Sequence, residues 1–480
     1  MAETRLPSRP TGCKFKPPAS CVQGVSCQDR GPYVTRFPRE GAGSDLLMEK
    51  LANKPSKWLV FFFVAIGIFM STLDSSIVNV ALPTIMEDFN VALSTMEWVV
   101  MIYLLTVSSL LLNFGRLSDI RGRRWVYTRG LVFFSVASLL CGLAQNAFWL
   151  IAFRLLQGIG AAMIMACTPA LIVDTFPASE RGKALGMVGT VVASGLTAGP
   201  ALGGVLLHLF PWPAIFYVNV PIGIVSAIVI SRLLRGSHAD LSSQEKFDWL
   251  GAPLLVVSLV CLLVCISHGY TWGYLSVRTV VLGMTGLVSL GVFVYAERRI
   301  SDPLMDLGLF SIRLFTLPVV SAVCLFITLF AVVFLMPFYL VHPGGFSVDK
   351  VGLIMVTPFI FLFFLSPVSG WLYDFVGSRS LCTAGMIGMA AGLLALSGLS
   401  PSASIPQILW RLALVGVGTA VFLPPNSSAA MTAVPVDRRG TAAATVAMAR
   451  NLGMVIGVAQ AGAIFNGTFS MLSGGDTLSI

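Results

Sequence analysis

Residues 195–204 read GLTAGPALGG and lie inside an apolar run long enough to cross a bilayer. A spanning helix seldom carries four glycines and a proline without a mechanical reason. Pro200 has no N–H for the carbonyl of Leu196, so a bend is expected there. Gly195, Gly199 and Gly203 recur every four residues and give a smooth stripe for close helix packing; Gly204 extends it. The stripe is either a static packing surface or a face on which a helix moves.

The rest of the chain sets that stripe in a membrane protein. Of 480 residues, 56% are hydrophobic and 11% charged, well below the roughly quarter charged of soluble domains. Spans of roughly 20 apolar residues are expected at 58–81, 97–115, 125–145, 147–172, 184–209, 214–234, 249–268, 277–296, 315–340, 350–370, 380–400, 406–430 and 441–465. That is thirteen spans of an all-α polytopic membrane protein.

The net charge of +9 describes topology and not a nucleic-acid partner. Ten of the 31 Lys and Arg precede Trp58, and basic residues follow every even-numbered span. Arg121, Arg123 and Arg124 follow the second span, whereas the loops after the first and third carry none. The amino terminus and the even-numbered exits are therefore expected in the cytoplasm, in a multi-pass protein of the plasma (inner) membrane.

Residues 1–57 form a basic segment rich in Pro, Gly and Ser that reads as disordered and cytoplasmic, without a signal-peptide core. Met48, just ahead of the first span, is a candidate start. Cys13, Cys21 and Cys27 lie in this segment. Cys261 and Cys265 share a helix face without a further ligand, so neither a metal site nor a disulfide framework nor a cofactor is expected.

An internal repeat divides the spanning region. GRLSDIRGRR at 115–124 returns as GWLYDFVGSR at 370–379; Arg154, Gly158 and Gly160 are echoed by Arg411, Gly416 and Gly418. PASERG at 177–182 returns as PVDRRG at 435–440. Residues 58–234 thus form a six-helix bundle, 249–296 two inserted helices, and 315–465 a second bundle with five helices. A polar tail occupies 466–480. By repeat arithmetic a fourteenth helix is expected to be absent, and the carboxyl terminus is expected outside. Two parallel halves about a central axis are a known transporter plan.

Taken in order, LDSSIVNVALP at 73–83, the 115–124 loop, the Arg154–Gly160 helix and the 195–204 stripe resemble one group. It is the fourteen-helix drug:proton antiporter branch (EmrB/QacA-type) of the major facilitator superfamily. The resemblance covers about residues 55–467. Ser76 stands where that branch usually has Thr, and its Trp-Arg-Trp reads Trp212-Pro213-Ala214 here. The resemblance implies a major facilitator fold and a proton-coupled antiporter that exports small hydrophobic or amphiphilic compounds by alternating access. Its partners are the substrate, protons and the bilayer, with a periplasmic adaptor as in some relatives. It also implies that the 115–124 loop latches the halves, through Gly115, Asp119, Gly122 and Arg123, and that the Gly195–Gly204 stripe typifies exporters.

Asp74 reads as the one acidic residue deep within a span. Such groups usually face a cavity and often serve an ion pathway, the alternative being a local hydrogen bond near a helix end. Arg154 shares a helix face with Gln157 and Gly158, and a buried guanidinium needs an acceptor such as Asp74. The resemblance implies that Arg154 takes part in proton coupling; the alternative is a structural arginine. Asn79, Gln157 and Asn219 are candidates for the substrate cavity. Arg411 and Arg450 are assigned structural roles, and His208, His268 and His342 are expected at the surface.

No enzymatic function is expected, since the sequence carries neither His-Glu-x-x-His nor Gly-x-Ser-x-Gly nor a phosphate-cradling loop with Lys. Two alternatives remain beside export: a transport-deficient truncated remnant and a proton-coupled uptake symporter.

Overall fold

The computed structural model describes residues 56–177, 180–234, 251–299, 307–342, 344–400, 402–435 and 438–472, and every regular element among them is helical. All thirteen expected spans coincide with helices. In the first half these are α1 Lys57–Phe89, α2 Leu93–Arg121, α3 Arg123–Gly142, α4 Ala147–Thr175 and α5 Arg181–Leu209. The sixth span is divided into α6 Ala214–Tyr217 and α7 Asn219–Leu233. Then come α8 Gly251–Trp272, α9 Val277–Glu297, α10 Arg313–Val341, α11 Val348–Val376, α12 Ser378–Ser397, α13 Ile405–Thr432 and α14 Arg439–Leu472. Twelve spans are long and apolar enough to cross a membrane; within α8 the apolar stretch is the shorter Pro253–Gly269.

Several boundaries differ from the sequence reading, for physical reasons. α1 continues past residue 81 to Phe89, because a membrane helix tolerates Pro83 and the polar turn Glu87–Asp88 is held there. The Trp212 indole donates to Asp88 at 2.8 Å, and the chain then leaves the helix through Asn90 in the left-handed region. α2 begins four residues early, at Leu93, which draws Glu97 inside the helix. α14 runs through 466–472, a stretch expected to be tail, since the Asn466 amide is bound by Glu97. Pro200 does not interrupt α5. The segment 1–55, with its cysteines and Met48, and residues 473–480 lie outside the described residues.

Packing follows the repeat. In the first half α1 lies on α5, α2 on α4, and α3 on α4 and α7; in the second, α10 lies on α14, α11 on α13, and α12 on α13. The halves meet where α5 crosses α11 and α2 crosses α14. α8 and α9 pair with each other, and α8 covers the α2–α14 seam. Arg121, Arg123, Arg124, Arg232 and Arg379 gather at one end of the bundle, its basic end.

The crossings between halves are tightest away from that end. A Cβ on Gly352 of α11 would fall 2.6 Å from the Cα of Gly204 on α5. Near the basic end, Gly115 and Gly189 have nothing within 4 Å of such a Cβ.

Candidate functional site

Asp74 sits near the middle of α1, about 26 Å along it from Lys57 at 1.5 Å per residue, and is wholly buried. Isolated, that carboxylate would be very costly, so its environment must supply charge and donors. It does. Arg154 of α4 donates through Nη1 to Asp74 Oδ2. Gln157 Nε2 donates to Oδ1 at 2.8 Å, and Asn219 Nδ2 of α7 reaches the same oxygen at 3.2 Å.

A second layer fixes those partners. Ser138 Oγ of α3 accepts from Gln157 at 3.1 Å and from Asn219 at 3.3 Å, and donates to the carbonyl of Phe216 at 2.9 Å. Arg154 Nε donates to the carbonyl of Val99 at 3.0 Å, and Nη1 also reaches Gln157 Oε1 at 2.7 Å. The guanidinium lies over Tyr103, 4.1 Å from the ring centroid. Its Nη2 has no acceptor. Four helices of one half thus converge on one carboxylate, and a proton arriving there would release a buried guanidinium from its counter-ion.

The α4 face that brings Arg154 and Gln157 together depends on small residues beneath them. A Cβ on Gly158 would lie 2.9 Å from the Tyr103 carbonyl oxygen, and one on Gly160 2.6 Å from the Phe134 nitrogen. Such approach lets α4 sit close to α2 and α3, within reach of Asp74.

The stripe of α5 has two sides. Gly195, Gly199 and Gly203 pack on α1 against Thr72, Ser76 and Ile77, around the turn that carries Asp74, and Ser76 donates to the Gly195 carbonyl at 3.3 Å. Gly204 and the Pro200 carbonyl face Gly352 of α11, and Thr197 donates to the Phe359 carbonyl at 3.2 Å. α5 is therefore wedged between the helix of Asp74 and the opposite half.

The remaining candidates separate. Gln157 and Asn219 belong to the Asp74 network and do not line the narrow cavity between the halves, which Ser71, Ser75, Tyr103, Arg450 and Asn451 border. Asn79 donates to the Ser75 carbonyl at 2.8 Å and takes no part in the network. In the 115–124 turn, Gly122 has φ 95°, which favours glycine. Arg123 binds Asp119 at 3.1 Å and Asp174 at 2.5 Å, so its carboxylate partners lie on α2 and α4 of its own half.

Two charged residues stand differently from the sequence reading. Glu97, taken as a span boundary, is 1% exposed and joins three helices: Asn466 of α14 donates to it at 2.9 Å and Ser267 of α8 at 3.3 Å. The adjoining Trp98 was the available signal, because an aromatic anchor moves the polar boundary outward. His268, expected at the surface, is flanked by Trp98 and Trp272; His208 and His342 are exposed as expected. The other charged residue is Arg450, assigned a structural role from the sequence, whose Nε is buried with no acceptor. Among the described residues no metal-binding group of His, Cys, Asp or Glu occurs.

The profile of the Major Facilitator Superfamily matches residues 64–458. Riboflavin transporter RibZ of Clostridioides difficile is 34% identical over 404 residues, covering 84% of this chain and 87% of its own. Multidrug resistance protein Stp of Mycobacterium tuberculosis is 34% identical over 408 residues, covering 85% and 75%. Methyl viologen resistance protein SmvA of Salmonella typhimurium is 30% identical over 416 residues, covering 86% and 83%. In fold the chain is similar to a D-xylose-proton symporter (TM-score 0.58, 15% identity, 83% of this chain and 88% of that one). It is also similar to an inward-facing bacterial homolog of the lysosomal transporter Spinster (TM-score 0.56, 16% identity, 87% and 83%).

Proposed function

The chain belongs to the Major Facilitator Superfamily, a family of transporters and not of enzymes, and from that premise we propose that it is a proton-coupled antiporter exporting small hydrophobic or amphiphilic compounds. The carrying observation is the buried Asp74 with its arginine partner. A proton binding Asp74 cancels the ion pair with Arg154, and the freed guanidinium must find other acceptors. That rearrangement changes which packing of α1 against α4 and α5 is the more stable. α5 passes the change to α11, because its stripe touches both the Asp74 turn and the opposite half. The halves then rock about the central cavity.

We place the chain in the fourteen-helix drug:proton antiporter branch, on the motifs at 73–83 and 195–204 and on the inserted pair α8–α9. Its domains are then a basic leading segment, bundles at 58–234 and 315–465, and the insertion between them. The basic end faces the cytoplasm of the plasma (inner) membrane, since its arginines obey the positive-inside distribution. The Gly115–Arg123 turn latches that end, and the close Gly204–Gly352 approach seals the other. Relatives named for multidrug resistance and for riboflavin transport stand at the same 34% identity, so a single metabolite fits this reading as well as a drug range.

The test uses everted membrane vesicles with an imposed pH gradient, in which the gradient's collapse is followed as compounds are added. Collapse with the wild type and none with Asp74→Asn supports antiport through Asp74. Collapse in both removes Asp74 from the mechanism. Absence of collapse with every compound, in correctly inserted protein, favours the transport-deficient remnant; uptake down the proton gradient would mean symport.

A further inference from the structure

The narrow cavity between the halves is polarised in a way that selects its ligand. One face of α14, made by Arg450, Asn451 and Met454, borders it from the second half; Ser71 and Ser75 of α1 and Tyr103 of α2 border it from the first. On the α14 side, Arg450 Nε and Asn451 Nδ2 are buried donors without acceptors. Asn451 is 3% exposed. Among the described residues no carboxylate pairs with Arg450.

On the facing wall the protons are committed. Ser71 donates to the Gly67 carbonyl at 3.0 Å, Ser75 to Thr72 at 2.7 Å and Tyr103 to Ser71 at 2.9 Å. Their oxygens can only accept. One wall of the cavity therefore offers unspent donors and a positive charge, and the other offers acceptors. Val192 and Leu196 of α5 add apolar surface between them.

The charges do not balance at this cavity. Asp74 is fully enclosed and cancelled by Arg154, so it offers nothing to a ligand there. Arg450 is then the uncompensated charge at the cavity wall. Unpaired buried donors are costly, and two neighbouring ones call for one acceptor group. We propose that this cavity, whose volume of about 20 Å³ here admits only the polar head of a ligand, widens into the substrate site as the halves part, and that the site takes an organic anion. The anion's carboxylate or phenolate group sits on Arg450 and Asn451, its hydroxyl or N–H groups meet the Ser71, Ser75 and Tyr103 oxygens, and its apolar body meets α5. This rests on the reading of the chain as a small-molecule exporter. Arg450 thereby gains a ligand-binding role in place of a structural one. A permanently cationic drug finds no free carboxylate here. Exit of an anion is also assisted by an inside-negative potential.

The test measures binding to the purified full chain without any gradient, using fluorescein and rhodamine 123, two xanthene dyes of opposite charge. Fluorescein is expected to bind the wild type more tightly than rhodamine 123. Arg450→Gln is expected to weaken fluorescein by about tenfold or more, as loss of a charged hydrogen bond implies, with Arg450→Lys retaining part of the preference. Arg450→Gln should melt no lower than the wild type, because it removes an unpaired buried charge; a purely structural arginine would give a lower melting temperature. Preference for rhodamine 123, or an unchanged preference in Arg450→Gln, overturns the proposal. So does failure of both dyes to bind together with no rise in melting temperature on adding benzoate. If Arg450→Gln does not fold, the dye preference is read on Arg450→Lys, where an unaltered fluorescein affinity overturns it. No gradient enters this measurement, so its failure leaves the Asp74 reading standing, and the vesicle test can fail while the dye preference holds.

Discussion

The two halves share a skeleton and differ in chemistry. Gly160 lets α4 approach α3 at the Phe134 backbone, and Gly418 lets α13 approach α12 at Met389 in the same manner. Gly122 and Gly377 both turn the chain with positive φ, 95° and 80°. Yet Arg154 is wholly buried on Asp74, whereas its repeat partner Arg411 donates to the Gln407 carbonyl at 3.2 Å and lies beside Trp410, 5.0 Å from the ring centroid. Arg123 binds two carboxylates; the equivalent position in the second half is Ser378, and among the described residues Asp374 has no ion pair. The packing rules of a repeat constrain both copies equally, because both must close a bundle. Ionisable groups are free to be kept in one copy only, since a buried charge costs stability wherever it has no task.

The largest effect should be common to both halves. Gly160→Leu and Gly418→Leu each force a side chain into backbone that a Cβ would meet at 2.6 Å and 2.5 Å respectively. Ordinary overpacking costs about 1–3 kcal/mol, and here the cost is well above that range because the backbone cannot yield as a side chain does. Both variants should lose most of their monodisperse protein in size-exclusion chromatography. Collapse of only one would mean that the skeleton is not shared in energetic terms.

The next effect should fall on one half alone. Arg154→Gln leaves Asp74 buried without its counter-ion, a change that costs about 3–5 kcal/mol when the charge is kept. Compound-driven collapse of a pH gradient should fall by about a hundredfold, the equivalent of roughly 2.7 kcal/mol. Arg411→Gln should stay within about twofold, because its guanidinium has one exposed carbonyl partner. Equal losses in both variants would end the asymmetry between the halves.

Sequence reading reached this asymmetry only in part. The thirteen spans were legible because apolar length is dictated by the bilayer, and the repeat because its glycines mark backbone contacts. Asp74 and Arg154 stood out as charges within spans, and their shared face with Gln157 was readable from spacing. Asn219 was named for a cavity and turned out to bind Asp74, since no spacing rule relates residues on α1 and α7. Glu97 was hidden by two terminal turns that the apolar count leaves out. Arg450 was visible but had no assignable partner, and the lack of one is a property of three-dimensional neighbours.

A smaller, again symmetric effect is expected at the turns. Gly122→Ala and Gly377→Ala place a Cβ at positive φ with an extended ψ of 128° and 166°, a cost of about 1–3 kcal/mol each. Melting temperatures should drop by a few degrees and by similar amounts in both variants. A drop confined to Gly122→Ala would assign the strain to the Arg123 cluster beside it rather than to the turn.

The smallest change in stability should come from Arg123→Gln. Its ion pairs with Asp119 and Asp174 are partly exposed, with about a quarter to two fifths of each side chain accessible, and pairs of that kind contribute about 1 kcal/mol or less. If the cluster only marks topology, transport should be equally indifferent. If the basic-end turn acts as a latch in the first half alone, Arg123→Gln should slow gradient collapse several-fold while melting almost as the wild type does. Arg379→Gln, the neighbouring basic change in the second half, should alter neither reading. The separation matters because a lost latch shifts the balance of two conformers without unfolding either, whereas a lost structural bond lowers stability first and transport only as a result. A melting loss as large as the transport loss would therefore return Arg123 to the scaffold and leave the Asp74 network as the first half's one functional difference.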